Sequence, residues 1–254
     1  MNLVFLFGNQ QAMKQHLNTI ILSLAIIIGV WILASNYRNR NRSNDLIMVT
    51  GSASKDFTSD LISWTAEFSA SGKEMQLASA QLKESQSKVS AFLLGKGISE
   101  KEIVFSAIAV EKEEVWVSDG NDRGHYEFKG YLLKQGVTIQ SREVSKVERV
   151  SREITDLIFQ GLQITSNQPE YYYTQLADLK IEMVAAATAD AKVRAQQIAE
   201  NSGADLGHLR YASMGVFQIT AQNSSDDYEW GGSFNTSSRE KTASIVMRLQ
   251  FGID

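Results

Sequence analysis

The chain has 254 residues, of which 43% are apolar and 21% are charged, and its formal net charge at pH 7 is −4. This composition excludes a chain that is disordered throughout, and the mixed charges without a basic cluster argue against a nucleic-acid partner. The absence of cysteine excludes disulfides, thiolate nucleophiles and cysteine-ligated metals, but it does not identify a compartment.

Residues 17–37, centred on 20–34, contain no charged side chain and have the length that a bilayer core requires. A helix that is apolar on every side predicts a transmembrane segment rather than a buried core helix. The sequence thus divides into an N-terminal extension at 1–16, this segment, a polar linker at 38–44 and a folded domain at 45–254.

A secretory signal needs small residues at positions −1 and −3 of its cleavage site. Cleavage after Ala34 or Ser35 would place Ile32 or Leu33 at position −3. The sequence therefore favours a retained anchor over a cleaved signal.

The charges that flank the segment bear on its orientation. Arg38, Arg40 and Arg42 follow it, whereas Lys14 and the α-amine precede it. The positive-inside rule therefore mildly favours a cytoplasmic C-terminal domain.

The first part of the folded domain predicts two strands and a helix. Residues 46–49 indicate a short strand that ends at Thr50-Gly51-Ser52, and residues 62–70 alternate apolar and polar side chains. Residues 71–74 have the pattern of a capping box. The helix that they open ends at Gly95 and Gly97, and its apolar stripe consists of Met75, Ala78, Leu82, Ser85, Val89 and Phe92.

The middle of the domain predicts an antiparallel hairpin and a second helix. Residues 103–117 and 126–140 are rich in Val, Ile, Phe and Tyr and are joined by a polar turn at 118–124. A helix at 143–160 and a short strand at 162–165 follow.

A long helix at 176–203 presents one narrow face of small side chains, since alanines recur at four-residue steps (Ala187, Ala191, Ala195 and Ala199). Such a face allows a helix to lie very close to a sheet. Strands at 209–219 and 243–253 close the domain. Together the elements predict an α+β fold with long helices on one face of antiparallel sheet, built as two βαββ halves.

The last two strands are separated by a polar segment at 220–239 that is too long for a simple hairpin turn. It contains three aromatic residues, Tyr228, Trp230 and Phe234. Two interpretations are open: a mobile surface loop, or a loop that becomes ordered against another subunit.

No residue pattern indicates a cofactor, a metal site or a catalytic group. His16, His125 and His208 are far apart along the chain, and Gly95-Lys96-Gly97 follows a helix rather than the strand that a phosphate-binding loop requires. Residues 119–124 resemble the start of a calcium loop, but Arg123 and Gly130 occupy positions where ligands are needed.

Acidic side chains leave one enzymatic alternative. Glu111, Glu113 and Glu114 could pair in a cleft, although the solvated side of a strand is the simpler interpretation. A hydrolase based on two carboxylates, acting on envelope material, is the alternative to a non-enzymatic role.

Several short stretches resemble the SIMPL-domain family in order and spacing. They are residues 47–53 (IMVTGSA), Gly97-Ile98, 101–103 (KEI), Gly130-Tyr131, Val137 with Ile139, 189–192 (ADAK), Ala195, Ile198, Ala199, Gly203 and Leu206-Gly207. The resemblance covers nearly all of residues 45–254.

The resemblance implies an extracytoplasmic α+β domain that forms ring or channel-shaped homo-oligomers, lacks established catalytic residues and is linked to stress defence. With a retained anchor, it predicts a single-pass protein of the bacterial inner membrane whose domain lies in the periplasm. This sidedness opposes the mild preference of the arginine cluster. The predicted function is that of a self-assembling envelope scaffold.

Overall fold

The structure is a computed structural model that describes residues 22–34, 45–118, 120, 124–224 and 231–253. The predicted extension at 1–16 and linker at 38–44 lie outside these residues. Of the predicted membrane segment, residues 22–34 are described; they are helical (α1) and their large apolar side chains are exposed. Within the described residues, no helix combines the length and the apolar character needed to cross a membrane.

The domain has a mixed α/β fold with antiparallel sheets. Its helices are α2 (Met75–Gly95), α3 (Val144–Glu153) and α4 (Leu176–Ser202). Its strands are β1 (Leu46–Thr58), β2 (Leu61–Gly72), β3 (Ile103–Phe105), β4 (Ala109–Ser118), β5 (Gly124–Ser141), β6 (Gln163–Ser166), β7 (Glu170–Tyr172), β8 (Leu206–Met214), β9 (Gln218–Ala221) and β10 (Glu240–Ile253).

One sheet has the order β3-β5-β2-β6, with β4 added to β5 and β7 to β2. Its core follows from the alternation in β2, where Trp64 and Phe68 are buried on the face covered by α2 and α3. The predicted stripe of α2 is confirmed at Ala78, Leu82 and Val89, but Met75 is exposed and Leu93 is buried in its stead.

The other sheet has the order β1-β10-β8, with β9 added to β10. Among the described residues, the first sheet has six strands and the second has four. In the second sheet, β10 lies between β1 and β8. The second half differs from the prediction in its first strand. Strand β7, which precedes α4, pairs with β2 in the first sheet. Strand β1, from the start of the domain, takes the expected place beside β10.

The chain divides into two compact units. In its described part, unit 1 comprises residues 22–34, 45–53, 185–215 and 246–253, whereas unit 2 comprises 54–184 and 216–245. Strands β1 and β10 and helix α4 contribute residues to both units.

Four predicted boundaries are wrong. The capping box at 71–74 does not form, because β2 continues through Ser71, which pairs with Leu132, and α2 begins after Glu74 without a side-chain cap. Strand β1 does not end at Gly51 but continues to Thr58. The predicted strands at 103–117 and 209–219 are each interrupted, the first between β3 and β4 and the second between β8 and β9.

The other boundaries are confirmed. The helix predicted at 143–160 consists of α3 and a 3₁₀ segment, Ile154–Gln160, and ends at Gly161 with φ of 84°. Helix α4 spans 176–202. It is followed by Gly203, whose φ of 75° is the left-handed conformation that glycine commonly adopts directly after a helix. The antiparallel hairpin is formed by β4 and β5.

Candidate functional site

Strand β1 and helix α4 approach each other to backbone contact within unit 1. A Cβ atom on Gly51 would lie 2.3 Å from the carbonyl oxygen of Ala187 and 2.4 Å from the amide nitrogen of Ala191. Only glycine on the strand and small residues on the helix allow this distance. The predicted close packing of the alanine face is therefore confirmed.

A charged side chain fixes the same contact. The Ser52 amide donates to Asp190 Oδ2 at 2.9 Å, and Arg194 Nε lies 3.0 Å from that oxygen. The Ser52 amide and, secondarily, Arg194 hold the pKa of Asp190 below its usual range. All of these groups serve packing and none of them faces a cavity described for this unit.

In unit 2, we define residues 109–118 and 124–129 of the β4–β5 hairpin as the arm. Its first part, 109–112, is the edge of the sheet, and from Glu113 onward it continues beyond β2 as a two-stranded ribbon. No described side chain of the arm is buried. Strand β4 pairs with β5 and with no other described strand. The arm therefore has two faces that the described residues of the chain leave open.

A β-bulge lies at the base of the arm. Glu113 pairs with Gly130 and Glu114 pairs with Phe128, so that Lys129 is left without a partner in the ladder. A Cβ atom on Gly130 would lie 2.6 Å from the carbonyl oxygen of Gly72. Glycine is therefore required where the arm leaves the sheet.

The bulge aligns aromatic rings along one face of the arm, which we call the aromatic stripe (Trp116, Tyr126, Phe128 and Tyr131). The rings of Phe128 and Tyr131 lie 5.1 Å apart, as do those of Trp116 and Tyr126. The exposed fractions are 53% for Trp116, 67% for Tyr126 and 47% for Phe128. The indole of Trp116 covers Gly124, where a Cβ atom would come within 2.5 Å of it.

The arm is acidic. Its described residues include four glutamates and two lysines, which are Glu111, Glu113, Glu114, Glu127, Lys112 and Lys129. Glu111 is paired with Lys134 at 2.9 Å, at the start of the arm. On the face of the stripe lie one carboxylate, Glu114, and one cation, Lys112, which pairs with Tyr131, whereas Glu111 and Glu113 lie on the other face.

The sheet of unit 1 has an open outer face opposite the one that carries α4. Alternation along β1 buries Ile47 and Val49 and turns Met48 outward, where 68% of it is exposed. This face contains a shallow depression of about 400 Å³. Its outward-facing lining consists of Met48, Thr50, Tyr211, Ser213, Arg248 and Gln250.

The interior of unit 2 contains a buried lysine. Lys241 is only 2% exposed, and its Nζ donates to the carbonyl oxygen of Tyr171 at 2.6 Å. Burial lowers the pKa of Lys241 to about 8. An amine of this kind can act as a base, but here it is enclosed by protein and lines neither of the described depressions.

A polar network adjoins this lysine. The Tyr171 hydroxyl donates to Glu148 Oε1 at 2.9 Å, and Arg239 NH1 donates to Ser145 Oγ at 3.0 Å. Burial and the bond to Glu148 raise the pKa of Tyr171 to about 12. The network links β7, α3 and the segment before β10, so its role in the described structure is to hold these elements together.

Most of the region that contains these contacts matches one protein family. Residues 47–250 match the family model described as SIMPL, protein of unknown function (DUF541). The chain belongs to the SIMPL family. No curated protein matches the chain at a significant level.

The geometry explains the stretches on which the SIMPL resemblance rests. Residues 47–53 and 189–192 meet in the contact between Gly51 and α4. Gly97 has φ of 80° and ends α2, after which Ile98 is buried. Gly130 and Tyr131 lie at the base of the arm. The motifs of this SIMPL domain are therefore positions of close packing and turning.

The described residues that were considered for chemistry lie on different elements. His125 is on the arm and His208 is on β8, whereas His16 and most of the turn at 118–124 lie outside the described residues. In the part of the chain that the structure describes, no group of three His, Asp or Glu residues is arranged to hold a metal. Glu111 and Glu114 are exposed and Glu113 is half-buried on the arm, with Glu114 on the face opposite to the other two.

The hydrolase alternative needs two carboxylates in one cleft. The depression in unit 1 contains no carboxylate, and a second one of about 250 Å³ in unit 2 contains one, Glu84, which is paired with Lys88 at 2.8 Å. The two described depressions thus offer no such pair.

The loop at 220–239 is described in part, since Tyr228 and Trp230 lie outside the described residues. Its second half follows β9: the Ile219 amide donates to the Ser233 carbonyl at 2.9 Å, and the Asn235 amide donates to the Ile219 carbonyl at 2.9 Å. Phe234 is exposed. Among the described residues, the arm exposes three aromatic side chains and this loop exposes one.

Proposed function

We propose that this SIMPL domain is a membrane-anchored, extracytoplasmic scaffold that assembles with copies of itself. The observation that carries the proposal is the arm, with its exposed aromatic stripe. An isolated two-stranded hairpin is marginally stable in water, and exposed aromatic residues are enriched at protein interfaces. A second protein surface that covers the stripe would stabilise the hairpin and bury its exposed rings.

The proposed anchor rests on residues 17–37. They contain no charged side chain, and their described part, 22–34, is helical and exposes its apolar side chains. Lipid is the solvent that such a surface requires. Confinement to a membrane raises the effective concentration of neighbouring domains, so modest contacts suffice for assembly.

The acidic arm supports a protein partner over two other surfaces. Inner-membrane leaflets carry anionic lipids, which repel the net negative charge of the arm's described residues, four glutamates and two lysines. Nucleic acid is disfavoured for the same reason. Protein surfaces, in contrast, offer cations and apolar groups together.

Assembly is tested by the mass of the full-length chain in detergent, measured by light scattering during size-exclusion chromatography. We expect a particle of several chains at micromolar concentration. In the comparison variant Trp116→Ala, which removes the largest ring of the stripe, we expect a smaller mean mass at the same concentration. A single-chain mass for the wild-type protein at micromolar concentration would contradict the proposal.

Sidedness is tested by cysteine labelling, for which a cysteine-free chain needs no background mutations. In spheroplasts, we expect an impermeant maleimide to label Ser237→Cys in the loop after β9. Gln10→Cys, before the anchor, should react only after the membrane is permeabilised. The reverse pattern would place the domain in the cytoplasm.

The link to stress defence that the family resemblance implies is the last part of the proposal. A deletion strain is expected to be sensitive to oxidant and to be rescued by the wild-type chain. Trp116→Ala should restore normal protein levels without restoring tolerance. Full rescue by this variant would separate the phenotype from assembly.

A further inference from the structure

We infer that the arm of one copy docks on the open face of unit 1 in a second copy, with Trp116 entering the depression beside Met48, Tyr211 and Arg248. This inference rests on the proposed self-assembly and names its interface. It joins the exposed aromatic stripe of one unit to the depression on the open face of the other.

Size is the first reason for this pairing. The depression has a volume of about 400 Å³ and is open, within the range of roughly 300–1,000 Å³ found for sites that enclose small ligands. It therefore has room for one large aromatic side chain. Trp116 is 53% exposed and lies on the arm, so a ring of this size is available.

Chemistry is the second reason. Tryptophan is the aromatic ring that attracts a guanidinium most strongly, and Arg248 lines the depression. The thioether of Met48 and the ring of Tyr211 provide the sulfur and aromatic contacts that an indole favours. Met48 is 68% exposed and Tyr211 is 54% exposed, so both are available for such contacts.

Charge is the third reason. The depression is lined by one cation, Arg248, and by no carboxylate. On the arm, Glu114 pairs with Phe128 and is two residues from Trp116 along β4, so both side chains point to the same face. When Trp116 enters the depression, the carboxylate of Glu114 therefore comes within reach of Arg248.

Other occupants suit these surfaces less well. Two arms placed face to face would bring their rings together without a guanidinium, since the described residues of the arm include no arginine. A sugar needs a flat ring surface, whereas the interplanar angles between neighbouring rings of the stripe are 67° and 70°. The open face of a second copy is the surface that provides both the cation and the apolar groups.

The possible symmetries of the assembly follow. The arm and the depression are different patches of one surface, so each copy offers one of each. Reciprocal docking between two copies gives a two-fold dimer, whereas head-to-tail docking gives a closed ring or an open filament. The measured mass distinguishes these forms.

The test uses two single-cysteine forms of the full-length chain, Glu114→Cys and Arg248→Cys, mixed in detergent and treated with a short bis-maleimide. We expect a cross-link between the two forms that exceeds the cross-linking of either form alone at least tenfold. The matched control replaces Arg248→Cys by Glu84→Cys, an exposed site on α2. Equal cross-linking in the control mixture, or efficient linking of Glu114→Cys with itself, would overturn the inference.

A charge exchange tests the same contact without cysteine. Arg248→Glu and Glu114→Arg should each weaken assembly about tenfold or more, and the chain that carries both changes should recover most of it. Each variant is checked for folding by circular dichroism. Failure of the double variant to recover, with both single variants folded, would overturn the contact between these residues.

Mass measurements on the same samples separate this inference from the proposed function. A multi-chain particle in which residues 114 and 248 do not cross-link leaves self-assembly intact and rejects this interface. A single-chain mass for the wild-type protein rejects both.

Discussion

The contact between β1 and α4 and the arm formed by β4 and β5 use opposite kinds of residue. At the first, glycine and alanine bring two backbones so close that a single added Cβ atom would meet a carbonyl oxygen at 2.3 Å. Along the second, no described side chain is buried although three aromatic residues are present. At these two places the chain uses small side chains for a contact between its own elements and large ones on an open surface.

This difference separates stability from assembly. Close contact between small residues excludes water and depends on exact fit, so it stabilises one fold and offers nothing to a partner. Large, partly exposed rings contribute little to a monomer, but they provide the kind of anchor that dominates binding energy at interfaces. Changes in the two regions should therefore affect different measurements.

The largest effect is expected at the close contact. Gly51→Ala places a methyl group against the backbone of α4, which cannot move away as a flexible side chain could. We expect the free energy of unfolding to fall by about 3 kcal/mol. Gly95→Ala is the matched control, since a Cβ atom there meets nothing within 4 Å. Equal melting temperatures for the two variants would show that the contact is looser than described.

The next effect is expected on the arm. Trp116→Ala should raise the dissociation constant of the assembly by roughly 30-fold, which corresponds to about 2 kcal/mol for an interface anchor. The free energy of unfolding should change by less than about 1 kcal/mol, the value of one cross-strand pair. Dilution series by light scattering and chemical unfolding measure the two quantities. A large loss of stability without loss of assembly would reverse the assignment of the two regions.

A pH profile tests a third region, the interior of unit 2 around the buried Lys241. Burial lowers the pKa of Lys241 from 10.5 to about 8, so between these values the unfolded chain binds more protons than the folded one. The free energy of unfolding should therefore rise as the pH increases from 8 towards 10. Lys241→Met should abolish this rise; a rise of equal size in the variant would assign it to another group.

The same profile should turn downward at higher pH. Tyr171 has its pKa raised from 10.0 to about 12, so its contribution to stability is present below pH 10 and is lost as the pH rises towards 12. The combined contribution of Lys241 and Tyr171 to the free energy of unfolding should thus be greatest near pH 10. Tyr171→Phe should remove the decline above this pH, and an unchanged decline would exclude Tyr171 as its source.

The smallest effect is expected from displacing a ring without removing it. Gly124→Ala places a Cβ atom within 2.5 Å of the Trp116 indole and 2.6 Å from the Val117 carbonyl oxygen, so the ring must turn away and the tip of the arm must shift. Assembly should weaken by less than in Trp116→Ala, and the strain should stay within the arm, so that the core of unit 2 keeps its hydrogen-exchange protection. A loss of assembly greater than that of Trp116→Ala would indicate that the turn itself is in contact with the partner.

The parts of the fold that depend on periodicity could be predicted from the sequence. The alternation in β2 and the four-residue alanine repeat in α4 each specify which side is buried, and both are confirmed. Predicted strand boundaries were wrong where one residue type is compatible with two structural roles. Gly51 resembles a strand terminator, but it is required within β1 because a helix passes close to it.

The candidate site was harder to foresee because its signals are tertiary. The residues of the arm resemble an ordinary strand, and only the sheet order shows that β4 has one described neighbour. Gly130, an isolated glycine within a strand, was a usable signal for the bulge. Nothing local marks Lys241 as buried, since lysine is rarely enclosed and its surroundings come from distant parts of the chain.

Amide hydrogen exchange of the full-length chain in detergent, at concentrations above and below the assembly midpoint, compares the two regions in one experiment. Residues 109–129 should exchange rapidly in the single chain and become protected on assembly, whereas the buried part of β1 at 47–51 should be protected equally in both. Arm amides that exchange at the same rate at both concentrations would contradict the assignment of assembly to this hairpin.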